Sequence, residues 1–180
     1  MIKSAIMSEC ARYRYELRRE WDASLPPMLF IMLNPSTADA DKDDPTIRRC
    51  INRAQEEGFG SLIVVNLFGL RSPDPKSLTR THDPVGPEND QHIARALSEC
   101  QFRGGLTVAA WGAGGIGDRS ERVINMGVRA AGDLFCLGLT KSGQPRHPLY
   151  IAKAQALVKW RTNRVPFSGN SERSRIYRAQ

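Results

Sequence analysis

Four short apolar runs punctuate an otherwise polar chain, at residues 28–33 (MLFIML), 61–67 (SLIVVNL), 106–111 (LTVAAW) and 134–139 (LFCLGL). Each has the length of a strand and almost no polar residue to alternate onto a wet face, as strands buried on both sides of a sheet require. Between them, apolar residues return at helical spacing. Ile47, Ile51 and Ala54 follow Asp44, placed as an N-cap, and Pro45, placed at the first helical position, and Gly58 ends the run. Ile93, Ala96, Leu97 and Cys100 predict a second helix over 89–100, and Val123, Met126 and Ala130 a third over 119–131. A last helix is expected over 151–160. Strands that alternate with crossover helices predict a parallel sheet covered on both faces.

The N-terminal stretch 11–21 (ARYRYELRREW) has a different period. Tyr13, Tyr15 and Leu17 alternate with Arg12, Arg14, Glu16 and Arg18, which predicts a half-wet strand whose exposed face is mostly arginine. With residues 4–8 it forms a hairpin on a sheet edge, where charge discourages further pairing. The expected fold class is α/β: three layers, α/β/α, around a central four-stranded parallel sheet, plus the N-terminal β-hairpin. Residues 1–165 form one domain and residues 166–180 a basic, flexible tail.

In open α/β sheets, ligands bind beyond the carboxyl ends of the strands, so strand-end polar residues are the candidates for chemistry. The first run stops at Asn34-Pro35-Ser36, because Pro35 cannot donate to a sheet ladder. Asn34 is either a site residue or a turn former. Asn66 interrupts the second run, and a buried carboxamide costs on the order of a few kcal/mol unless hydrogen-bonded. Either backbone satisfies it or it faces a pocket, where it can pair with a base edge. Gly112, Gly114, Gly115 and Gly117 follow the third run in the manner of a dinucleotide loop, but no acid ends the next strand to hold a ribose. A glycine turn that lets phosphate or DNA backbone come close fits better. His147 stands before Pro148 in the last turn, either as a surface turn residue or as part of the same constellation.

Charge narrows the partners. Lys and Arg number 26 against 19 Asp and Glu, a net charge of +7 with a pI near 9.6. That favours an anionic partner, nucleic acid first. Asp39, Asp41, Asp43 and Asp44 are oxygen donors of the kind hard cations use, but their spacing is not that of an EF-hand loop. Acids at a helix start need no metal, and none is expected. The four cysteines are scattered without a C-x-x-C pair, which argues against zinc and against a disulfide framework, and Cys136 reads as a small core residue. No secretory h-region or membrane-length apolar stretch is present, so the expectation is a cytoplasmic protein with reduced thiols.

Assembled in order, these strand ends resemble the uracil-DNA glycosylase superfamily. Its first strand ends in GQDPY, GEAPG or GINPG, where this chain has Met32-Leu33-Asn34-Pro35-Ser36. Its second ends LLLN, here Ile63-Val64-Val65-Asn66; its third LLWG, here Ala109-Ala110-Trp111-Gly112; its last turn HPSPL, here His147-Pro148-Leu149-Tyr150. The wording NPSTAD, DPT, NLF, AWG and HPLY also resembles a small bacterial and phage family of formerly unknown function. The resemblance covers residues 28–151 and implies a uracil-DNA glycosylase-like fold and a monofunctional DNA glycosylase. Asn34 would orient a water through its carbonyl, and His147 would hydrogen-bond the departing base. Leu33, Pro35, Ser36 and Asn66 would bind the flipped base. Gly112, Gly114, Arg71, Arg146 and Pro148 would hold DNA, with Leu149 or Tyr150 as the wedge that fills the vacated stack.

Two departures bear on the substrate. The Ser of HPSPL is missing, and no aromatic residue lies between Ser36 and Gly58, so Phe68 is the substitute for the usual stacking ring. A roomier pocket suits a bulky modified pyrimidine, with glucosylated hydroxymethylcytosine of phage DNA preferred and uracil second. The implied partner is double-stranded DNA with one base flipped, bound by a monomer without cofactor, metal or membrane. The alternatives are a non-catalytic nucleic-acid-binding module and a hydrolase of free nucleosides or nucleotides.

Overall fold

The described residues, 1–114, 117–152 and 154–162 of a computed structural model, begin with β1 (Ile2–Met7), β2 (Arg14–Glu20), β3 (Pro27–Met32), α1 (Pro45–Glu56) and β4 (Ser61–Asn66). A single-turn α2 (Ser77–Arg80), α3 (Asn89–Phe102), β5 (Leu106–Ala109), α4 (Gly117–Ala131), β6 (Asp133–Cys136) and β7 (Val158–Thr162) follow. The tail expected at 166–180 lies outside the described residues.

The apolar runs sit side by side because each has side chains to bury on both faces. Strands β4, β3, β5 and β6 pair in parallel in that order. Leu29, Ile31, Ile63 and Val65 pack under Ile93, Ala96 and Leu97 of α3 and Val123 and Ile124 of α4. Met28, Phe30, Leu62 and Val64 pack on the other face, under Ile47, Cys50, Ile51 and Ala54 of α1. Asp44 caps α1 as expected, its Oδ1 accepting from Ile47 N at 2.9 Å, a contact worth about 1 kcal/mol.

The α/β class stands, but the sheet is larger and mixed. Among the described residues it has seven strands in the order β1-β2-β4-β3-β5-β6-β7, with β1, β2 and β7 antiparallel to their neighbours. Where a last helix is expected over 151–160, the described residues 151, 152 and 154–157 are non-helical and 158–160 belong to β7. The open edge of β6 outweighs helical spacing there. β7 covers it, Lys159 pairs with Asp133 at 2.7 Å, and Trp160 packs edge-on against Trp111.

The N-terminal hairpin forms at the sheet edge, but β1 is the outer strand and the polar face of β2 is not wet. Of the face expected to be exposed, Arg14 and Glu16 are buried and Arg18 is half-buried; Arg19, on the other phase of the strand, is buried too. The regular alternation also breaks. Glu16 pairs with Ile6 and Arg14 with Met7, leaving Tyr15 as an extra residue, a β-bulge. Tyr15 stacks on His92 of α3, whereas Leu17 belongs to the α1 face. Across the bulge, Arg14 and Arg19 reach the same loop, the one joining β3 to α1. Arg14 Nη1 donates to Ala38 O at 2.7 Å. Arg19, with no solvent exposure, donates to Asp43 Oδ1 at 2.7 Å, Asp39 O at 2.6 Å and Arg18 O at 2.7 Å.

Topology then fixes where a site can be. From β3 the chain passes through α1 to β4 on one side, and from β4 through α3 on the opposite face to β5 on the other side. The connections diverge at β3, so the crevice lies beyond the carboxyl ends of β3 and β5.

Partial burial pushes the Asp43 carboxyl up, and hydrogen bonds from Lys3 and Arg19 outweigh it, so its pKa lies below the ordinary value. Arg19→Met removes the buried partner of that carboxylate and of four backbone carbonyls, leaving Asp43 only Lys3, and is expected to cost about 3–5 kcal/mol. The loss is complete above the ordinary carboxylate pKa and shrinks as pH falls through Asp43's lowered one. Urea denaturation of both proteins at neutral and acid pH tests this, and a cost below about 1 kcal/mol at neutral pH would contradict it.

Candidate functional site at the ends of β3 and β5

Beyond Met32 the chain continues alongside the segment that follows β4. Leu67 N donates to Met32 O at 2.8 Å, Phe68 N to Leu33 O at 2.9 Å and Ser72 N to Pro35 O at 2.9 Å. This zip brings three carbonyls around the Asn34 side chain. Its Nδ2 donates to Ser72 O at 2.8 Å, Pro35 O at 3.1 Å and Leu70 O at 3.5 Å. Only an NH2 group suits that surrounding, which fixes the orientation of the carboxamide. Oδ1 accepts from no described residue and is the atom the carboxamide offers outward.

His147 comes from the other side. Its loop is pinned by Gly112 N to Pro145 O at 2.8 Å, Arg146 N to Gly138 O at 2.9 Å and Trp111 Nε1 to Gln144 Oε1 at 2.8 Å. Gly112 has φ +73°, and a Cβ there would sit 3.3 Å from the His147 Cβ, so glycine serves both the turn and the approach. The imidazole Nδ1 accepts from Leu149 N at 3.3 Å as Pro148–Tyr150 forms a 3-10 turn. Burial holds the His147 pKa below its ordinary value, against a smaller upward pull from Asp44. A neutral ring with Nδ1 accepting carries its proton on Nε2.

Asn34 and His147 line one cleft of about 610 Å³. Leu33, Ser36, Gly112, Arg146, Leu149 and Tyr150 line it too. Pro35 is buried beneath, holding Asn34 through its carbonyl. Gly114 backs Leu33, where a Cβ would fall 2.7 Å from Leu33 Cδ2. Pro148 lines a neighbouring cleft. Tyr150 stands on the rim, 81% exposed, its ring 5.6 Å from that of His147.

Three expected site residues lie elsewhere. Asn66, 1% exposed, is no part of the cleft wall; it pairs with Met32 across the sheet, and its backbone carbonyl accepts from Asn89 Nδ2 at 3.0 Å. Phe68 belongs to the core under α3 and α4, so it is no stacking ring. Arg71 points toward the hairpin turn, with Nη1 donating to Ala11 O at 3.4 Å. The rings that do line the cleft are those of Trp111, His147 and Tyr150. Sequence reasoning did not assign Trp111 to the site, although it ends the third apolar run. Nor did it assign the wall formed by Ser72, Pro73 and Pro75. Arg14 was also missed. Burial lowers its pKa to about 10, and it holds the Ala38 carbonyl of the loop that Asn34 begins.

The acidic residues of that loop have separate tasks. Asp44 caps α1, Asp43 binds Arg19 and Lys3, and Asp39 Oδ1 accepts from the backbone of Asp41 and Lys42. None of the described residues lining the cleft is Asp or Glu, and its one charged side chain is Arg146. The cleft therefore offers an oriented acceptor, an oriented neutral donor and a positive rim.

A family model described as "Protein of unknown function (DUF1643)" matches residues 14–149. The chain belongs to the DUF1643 family. No curated protein and no solved structure matches it. The DUF1643 span runs from the buried Arg14 to Leu149, and so contains both Asn34 and His147 with the loops that carry them. No helix among the described residues is long and apolar enough to cross a membrane.

Two outcomes follow from this geometry. Asn34→Asp places an oxygen against three carbonyls, raising the carboxyl's pKa. The variant is expected to be destabilised by about 1–3 kcal/mol at neutral pH. The penalty should be smallest in acid, where the group is protonated, and should grow as pH rises through the raised pKa; denaturation at several pH values reads it. Nitrogen-15 NMR of His147 should show the Nε2–H tautomer titrating below the ordinary histidine value. An Nδ1–H ring, or titration at or above that value, would contradict the assignment.

Proposed function

We propose that the protein is a monofunctional DNA glycosylase acting on a modified pyrimidine, with its α/β core arranged as in the uracil-DNA glycosylase superfamily. The observation that carries this reading is the pair of unspent atoms on one cleft, Asn34 Oδ1 and His147 Nε2–H. A nucleotide flipped out of the helix would place its glycosidic bond between them. As the C1′–N bond breaks, its electron pair leaves with the base and positive charge builds on the sugar. Asn34 Oδ1 accepts a hydrogen bond from a water and holds it for attack on C1′. The water oxygen bonds C1′, its proton passes to solvent, and the products are free base and an abasic site. His147 Nε2–H donates to the base oxygen as that oxygen becomes anionic, in the manner of an oxyanion hole. A carboxamide is no strong base, so the reading requires a good leaving group.

Two further features support it. The net charge of +7 and the Arg146 rim suit a polyanion. Tyr150 is an exposed ring next to His147, placed as a wedge that could fill the gap left by an extruded base. With Phe68 in the core and no carboxylate on the wall, the open cleft suits a bulky pyrimidine, glucosylated hydroxymethylcytosine before uracil. Phage DNA carrying that base would make the activity an antiviral one.

Mass spectrometry of bases released from phage DNA carrying glucosylated hydroxymethylcytosine, and from uracil-containing DNA, tests the proposal. Asn34→Ala is expected to slow release by about 10²-fold, and His147→Ala by about 10²–10³-fold. No release from any of these DNAs at stoichiometric wild-type protein rejects them as substrates. Equal rates for wild type and Asn34→Ala would remove Asn34 from the mechanism.

A further inference from the structure

A second cleft, of about 400 Å³, runs along α1 beside the first, and Leu149 lines both. Its floor is apolar, made by Phe30, Leu137 and Ile151. Its wall carries Arg48, Arg49, Asn52 and Arg53 on consecutive turns of α1.

Part of that charge is used within the fold. Arg49 Nη2 donates to Ile151 O, and Arg53 Nη2 to Gln155 O at 2.8 Å, so these two arginines fix the far wall of the groove. Arg53 also pairs with Glu57. Arg48 spends only Nη1, on Asp43 O at 2.5 Å, and is exposed. Asn52 is exposed and makes no described hydrogen bond. A guanidinium has five N–H donors, so Arg48 and Arg49 keep several in hand. Glu56 is the one acid on the wall. A groove with a cationic wall and an apolar floor matches a ligand with an anionic edge and a flat apolar body.

A nucleotide has that form, and the groove begins where the first cleft ends. We propose that the groove along α1 seats the nucleotide adjacent to the extruded one on the same DNA strand. Its phosphate lies on Arg48, Arg49 and Asn52, and its sugar and base rest against Leu149 and Ile151. The strand thus passes over Leu149, from a cleft that holds one base to a track that holds its neighbour. The placement of the extruded base rests on the glycosylase reading; the track itself rests on the charge and shape of the groove.

Fluorescence anisotropy of a labelled duplex, measured across a salt series, tests the track. Arg48→Gln should weaken binding several-fold and lower the slope of log K against log salt by about one. Asn52→Glu, which breaks no hydrogen bond within the fold and puts a negative charge where the phosphate would lie, should weaken binding by about tenfold. Arg95→Gln, an exposed arginine of α3 on the opposite face, should change neither affinity nor slope. The proposal is overturned if Arg48→Gln and Asn52→Glu, with wild-type melting temperatures, bind with unchanged affinity and slope, or if Arg95→Gln weakens binding as much as they do. Base release measured in parallel separates the two claims. Impaired binding by both variants, with no release by wild type on any DNA, keeps the track and rejects the glycosylase. Release by wild type, with unchanged binding in both variants, does the reverse.

Discussion

A guanidinium with no water around it must find every partner inside the fold, and Arg19 finds most of its partners on one loop. That constraint ties β2 to the segment between β3 and α1. Arg14 adds a second tie to the same segment, through the Ala38 carbonyl. Few segments of a small protein have more reason to wander than a polar loop at a sheet's carboxyl edge. Here it is fixed by charge from below and capped into α1 by Asp44. The position of Asn34, at the start of the loop, depends on that anchorage.

The two polar groups of the cleft follow a common plan. Each uses one side of its functional group on the backbone and leaves the other side to the cleft. Asn34 spends its NH2 on three carbonyls, and His147 spends Nδ1 on the Leu149 amide. Orientation is thereby set before any ligand arrives, which is what electrostatic stabilisation of a developing charge demands. It also means that the chemical character of each group is dictated by its neighbours. The three carbonyls disfavour a carboxylate at position 34, and a neutral, desolvated imidazole is a donor without being a cation.

Much of this was legible in the chain. The apolar runs marked the parallel strands, and the polar residues at their ends marked Asn34, Gly112 and His147, because strand ends are where a sheet meets solvent. The errors share a cause. Arg14 read as wet and Arg19 drew no reading, because charges are seldom buried and nothing local reveals that their acceptors lie on a loop some twenty residues further on. Asn66 read as a cleft residue, but it sits opposite Met32 inside the sheet, its carboxamide buried away from the cleft. Phe68 was assigned by elimination, and the core under α3 claimed it. The stretch from 151 to 160 had helical spacing, but the bare edge of β6 decided its conformation.

The bulge at Tyr15 has a wider meaning. Arg14 and Arg19 are five residues apart, an odd number, so on a regular strand they would point to opposite faces. The extra residue shifts the phase of the strand and lets both reach one loop. In this segment, length carries as much information as residue type. A conservative exchange at Tyr15 leaves the count intact, whereas losing one residue would turn one arginine away from the loop that begins with Asn34. Over evolutionary time the hairpin is therefore expected to drift in composition more readily than in spacing.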